Sequence, residues 1–154
     1  MDAVDEKLIR LLSENADTTA TELATHIDLS IAAINKRIAK MKDAGVIRRT
    51  CILTDPAKIG KPIIAYILFA LKSGEDRARL AEKLPQLGDA LECYSVTGEY
   101  DCMMKVCAAS VEAFNEKLQR FREDFNVVRM QTMFTLQEWK YDPVAMPDEG
   151  FFSK

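Results

Sequence analysis

Three features of the sequence predict an α+β chain in two parts, an N-terminal winged helix-turn-helix and a C-terminal ferredoxin-like βαββαβ domain. The first is a helix-period run bounded by Ser30 and Gly45 that carries six basic residues up to Arg49 against Asp43 alone. The second is Thr54–Pro62, with two prolines and a glycine, the composition of a connection between domains. The third is a change of period beyond it, from 3.6-residue spacing to β-prone runs alternating with helical ones.

Taken in order, Val4, Leu8, Leu11 and Leu12 recur at helical spacing, and Asn15-Ala16-Asp17 ends that helix. Thr19 followed by Glu22 is a capping box for a short second helix that turns Leu23 and Ile27 inward. After Asp28-Leu29, Ser30 caps a third, in which Ile34, Ile38 and Met41 form the apolar stripe and Asn35, Lys36, Arg37 and Lys40 lie on or beside the opposite face. Two helices joined by so short a turn, the second one basic, are the arrangement that lays a helix in the major groove of double-stranded DNA. A solvated cationic face is the alternative. Val46–Leu53 is β-prone and reads as the closing wing strand, with Arg48 and Arg49 beside phosphates.

The chain carries a net charge of −3, and residues 1–50 hold eight basic and eight acidic residues, so the positive field is a stripe on one helix. Phosphate contacts from one face imply that tight binding needs a dimer. Arg37, on the flank of the stripe, has a second possible role, pairing with an acidic residue such as Asp5 to brace the first helix. No apolar run reaches the length of a membrane span, and the acidic N-terminus is unlike a secretory signal, so a cytoplasmic location is expected. Cys51, Cys93, Cys102 and Cys107 form no C-x-x-C pair and read as small buried hydrophobes; no metal site or cofactor is expected.

The domain boundaries read as 1–53, a connection over 54–62, a second domain over 63–140 and a tail over 141–154. Ile63–Leu71 is apolar enough for a strand covered on both faces. Leu80, Leu84 and Leu87 continue a helix to Gly88; Leu91–Thr97 and Cys102–Cys107 are strands joined by Gly98-Glu99-Tyr100-Asp101; Val111, Phe114, Leu118 and Phe121 mark a second helix. The last strand runs from Val127 to about Lys140. That order is the split βαββαβ unit, with helices on one sheet face and a second copy of the chain expected on the other.

Arg37 with Gly45-Val46-Ile47, then Asp55-Pro56, Ile59-Gly60 and Thr97-Gly98-Glu99-Tyr100-Asp101, resemble the Lrp/AsnC (leucine- and asparagine-responsive, feast/famine) transcription regulators over about Met1–Lys140. The resemblance implies a DNA-binding regulator without catalysis, and the residues read as facing the groove and its phosphates are Ser30, Ala32, Ala33, Asn35, Lys36, Arg37, Lys40, Arg48 and Arg49. It also implies dimers assembling to octamers, and an amino-acid effector held at Gly98, Glu99, Tyr100 and Asp101, with Thr132, Phe134 and Thr135 on the last strand. The loop's chemistry suits this: Gly98 permits close approach and a carboxylate such as Asp101 can pair with an ammonium group. A plain hairpin turn is the alternative. Two positions depart from relatives: Ile31-Ala32-Ala33 where Ser, Thr or Pro is frequent, and Asp124-Phe125-Asn126-Val127 in place of Pro-Gly.

Two other functions fit the layout. Siroheme decarboxylases resemble it, but tetrapyrrole chemistry calls for histidines, and the chain has only His26, expected at the surface. A stand-alone amino-acid sensor would use the same loop without DNA.

Overall fold

A computed structural model describes residues 1–153 and divides them into two compact units, Met1–Ile52 with the segment from Lys140 onward, and Leu53–Trp139. The first unit contains α1 (Ala3–Glu14), α2 (Ala20–His26) and α3 (Ile31–Asp43). Asp2 caps α1 and, with Asp5, completes a reciprocal capping box; Thr19 and Glu22 form another on α2; Ser30 caps α3 through the Ala33 amide. Leu8, Leu23, Ile27, Ile34 and Met41 are the buried centre of this head, with Ile38 and Ile47 packed around it.

The wing strand expected over Val46–Leu53 is not formed. The Val46 and Ile47 amides turn back to the Met41 carbonyl and close α3, after which the chain has no ladder partner among the described residues. A strand cannot form alone, because its backbone groups must be paired by a neighbour. Cys51 is therefore exposed rather than a core residue, as are Ile52 and Leu53. The tail is ordered on the head. Arg10 donates to the Pro147 carbonyl at 2.8 Å and the Gly150 amide to Glu6 Oε1 at 3.3 Å, so the segment packs against α1.

The second unit consists of β1 (Ile63–Leu71), α4 (Gly74–Lys83), β2 (Ala90–Ser95), β3 (Cys102–Ala108), α5 (Val111–Asp124) and β4 (Val127–Phe134). The sheet order is β2-β3-β1-β4, antiparallel throughout, the ferredoxin-like arrangement. Ala65, Ile67, Phe69 and Leu71 of β1 alternate inward and bury against Leu80 of α4 and Phe114 and Phe121 of α5, with Phe69 and Phe121 in edge contact at 5.1 Å between ring centres.

Two elements end earlier than periodicity predicts. Helix α4 stops at Lys83 and a 3₁₀ turn takes Leu84–Gln86, since Pro85 lacks the amide that a continuing helix needs. Strand β4 stops at Phe134, not near Lys140. Thr135 donates its amide and its hydroxyl to the Ile64 carbonyl, both at 2.9 Å, and beyond that point only Ile63 of β1 remains before Pro62, which has no N–H to pair.

Candidate functional site

Helix α3 separates its residues as an amphipathic helix must. Ile34 and Met41 are buried, whereas Ala32, Asn35, Lys36 and Lys40 are exposed beside the exposed cap residue Ser30, and Ala33 is half-buried. Lys36 and Lys40 stand one turn apart on the same side of the helix, with no acidic partner among the described residues. Arg48 and Arg49 are exposed in the segment that follows α3.

Arg37 is placed differently. Its Nη1 donates to Asp5 Oδ1 at 2.8 Å and to both Asp2 oxygens at 2.9 and 3.0 Å, tying α3 to the N-terminus of α1. Its hydrogen bonds to Asp5 and then to Asp2 stabilise the charged guanidinium and raise its pKa. The Asp2 carboxyl is held below its ordinary range first by the Asp5 amide and next by Arg37. Asp5 is buried, so its negative charge needs this cation. Arg37 therefore braces the head from the flank of α3, the second of the two roles its position suggested. His26 is exposed at the end of α2, and its carbonyl accepts from Lys7.

The Gly98–Asp101 loop joins β2 to β3 at one end of the sheet. Gly98 has φ +112°, a backbone that disfavours any side chain although the space beside it is open. Asp101 secures the loop from within. Its Oδ2 accepts from the Leu71 amide at 2.9 Å, its Oδ1 from Arg77 at 2.6 Å, and its own amide donates to the Phe69 carbonyl. Both oxygens are thus committed to β1 and α4. Tyr100 donates its hydroxyl to Gln131 Oε1 at 3.3 Å, and Glu99 pairs with Arg129 at 3.3 Å, leaving Glu99 and the Gly98 backbone on the outside.

The three candidates on β4 do not join this loop in a single chain. Phe134 pairs with Ala65, and its ring packs on Phe114 at 5.0 Å; Thr135 is fixed to Ile64. They lie about 13 Å and about 17 Å along β1 from Phe69, where the loop is anchored. Thr132, opposite Ile67, is on the helix-covered face, whereas the loop's partner Gln131 is on the other. The residues of β4 that meet the loop are Arg129 and Gln131, and α4 adds Arg77. Sequence spacing could not find them, because antiparallel register alone decides which β4 residue lies beside a loop ~30 positions away.

The comparisons with known proteins agree with both halves. A winged helix-turn-helix DNA-binding model matches residues 1–48, and the Lrp/AsnC ligand binding domain model matches residues 64–145. The regulatory protein AsnC of Escherichia coli is 30% identical over 138 residues, 89% of this chain and 91% of that protein. A Neisseria meningitidis transcriptional regulator crystallised with L-methionine superposes with a TM-score of 0.85 at 26% identity, covering 93% of this chain and 94% of the other. A feast or famine regulatory protein from M. tuberculosis, also complexed with L-methionine, gives 0.87 at 27% identity over 95% and 99%. With its exposed basic α3 and its four-stranded second unit each matched independently, the chain belongs to the Lrp/AsnC family of DNA-binding transcription regulators.

Proposed function

We propose that α3 enters the major groove of the operator and that the 98–101 loop takes an amino-acid effector which alters DNA binding through assembly. The observation that carries the DNA half is the pair of exposed ammonium groups, Lys36 and Lys40, one turn apart opposite the buried Ile34 and Met41. Ser30, Ala32, Ala33 and Asn35 lie nearest the bases in this reading, and small Ala32 and Ala33 suit apolar contact with a thymine methyl. Arg48 and Arg49 supply further phosphate contacts, while Arg37 sets the pitch of α3 on α1 rather than touching DNA.

The effector half is supported by the two relatives crystallised with L-methionine and by the shape of the loop. Asp101 holds the loop closed, so the outward Gly98 backbone and Glu99 are the groups left to meet a ligand. Thr132, Phe134 and Thr135 contribute only if a second subunit brings its β4 to the loop, which suits a site between copies. Pairing of copies through the uncovered sheet face, assembly to octamers, action by binding rather than catalysis and residence in the cytoplasm complete the proposal. On that face Tyr66, Leu68, Met103 and Met133 form an apolar patch, with the Lys105–Glu92 pair on its β2 side.

The test is the salt dependence of operator binding. Replacing Lys36 and Lys40 together by alanine is expected to flatten the slope of log K against log salt by about 1.8, the share of two phosphate contacts. An unchanged slope would remove α3 from the groove. For the effector half, Gly98→Ala is expected to abolish the response of DNA binding to L-methionine while leaving binding without effector unchanged.

A further inference from the structure

The second unit contains an open cleft of about 320 Å³ on the helix side of the sheet, remote in chain position from the 98–101 loop. Its floor is Ile67, Met104 and Val106, and one wall is Phe114, Leu118 and Phe121 of α5. The opposite wall is the Gln86–Ala90 turn. It follows the 3₁₀ turn that begins where Pro85 interrupts α4. Nothing among the described residues fills it, and the size falls in the range of small-molecule sites.

The rim is cationic. Asp89 accepts from both Lys61 and Lys117, and Arg120 stands beside them without a carboxylate partner among the described residues. Lys61, Lys117 and Arg120 thus outnumber Asp89, the one carboxylate of the lining. An apolar interior of this kind does not hold water well, because water needs several polar partners. It would favour a carbon chain inside and a single negative charge at the mouth, where Arg120 is free and Lys117 can be shared. An ammonium group on the same ligand would meet the surplus positive charge, and the only carboxylate there is already shared by two lysines.

We propose that this cleft is a binding site for an apolar monocarboxylate, an aliphatic or arylalkyl acid lacking an amino group. It is independent of the effector loop and of the amino-acid reading, since no residue is shared between them. The ligand enters chain first between α5 and the Gln86–Ala90 turn, and its carboxylate stops at Arg120 and Lys117.

The experiment follows the methyl resonance of Met104, which is buried in the floor, in the full chain labelled at its methionine methyls and assigned by Met104→Leu. Hexanoate is expected to shift that resonance saturably, whereas hexylamine and L-norleucine, the same chain with an amine or with both charges, are expected not to at equal concentration. Arg120→Gln, an exposed change that leaves folding intact, is expected to weaken hexanoate by at least about fivefold, and Leu118→Trp to abolish the shift by filling the cleft. Gly98→Ala, which alters the effector loop, is expected to leave hexanoate binding unchanged. The proposal is overturned by equal binding of hexylamine or norleucine, by unchanged affinity in Arg120→Gln, or by absence of a saturable shift.

Discussion

Asn126 is the one described residue other than glycine with positive φ, at +49°, where the chain leaves α5 for β4. The asparagine suits this turn, since its side chain tolerates the left-handed region better than most. It does something glycine could not: its amide donates to Asp76 Oδ1 at 2.7 Å, while the Ser73 hydroxyl donates to Oδ2 at 2.6 Å. Asn126→Ala is therefore expected to destabilise more than Asn126→Gly, by about 1 kcal/mol of backbone strain, in chemical denaturation of the two variants. The Ser73 and then the Asn126 hydrogen bonds hold the Asp76 carboxyl below its ordinary pKa of 3.8. A depressed folded pKa means that the contribution is present above the ordinary value and fades as pH falls through the lowered one. The stability gap between the native chain and Asp76→Ala should accordingly be full at neutral pH and close on acidification below that range, in unfolding curves measured at successive pH values.

Between elements, the apolar contact of α3 with α1 is reinforced by one polar side chain. Arg37 serves the exposed Asp2, which caps α1, and the buried Asp5, which completes that capping box. Removing the guanidinium leaves Asp5 buried with only the Asp2 amide as partner. Arg37→Ala is expected to cost about 2 kcal/mol of head stability by thermal melting, the penalty for stranding a buried charged acceptor, with any loss of DNA affinity following from that. The salt slope of operator binding should stay near that of the native chain, which separates this brace from Lys36 and Lys40. The 98–101 loop depends on a similar strut. Asp101 joins β3 to β1 and α4 in one stroke, so a change there loosens the sheet end as well as the loop.

At the scale of the whole chain, the C-terminal segment returns to the head after β4 has ended. It supplies the Pro147 carbonyl to Arg10 and the Gly150 amide to Glu6, a carboxylate whose second oxygen is buried without a partner. A chain ending at Trp139 is expected to melt its head domain at lower temperature, by about 2 kcal/mol of lost hydrogen bonds, while the sheet domain melts as before. Resolving two transitions by calorimetry checks this. The β-prone segment around Ile52 is exposed and finds no ladder partner among the described residues.

What the sequence determined by itself was whatever is decided over a few residues: the caps at Thr19 and Ser30, the apolar stripes of α1, α3 and α5, and the strand-forming run of β1. These follow from local hydrogen bonding and from a period of burial, both written in neighbouring positions. Tertiary structure decided the rest. Whether Val46–Leu53 paired, where β4 stopped, and which β4 residues met the 98–101 loop all depended on a partner strand distant in sequence, because a strand's hydrogen bonds are satisfied outside itself. The fate of Arg37 was settled in the same way: its spacing placed it beside both the solvent face and α1, and two carboxylates at the start of the chain outbid water for it.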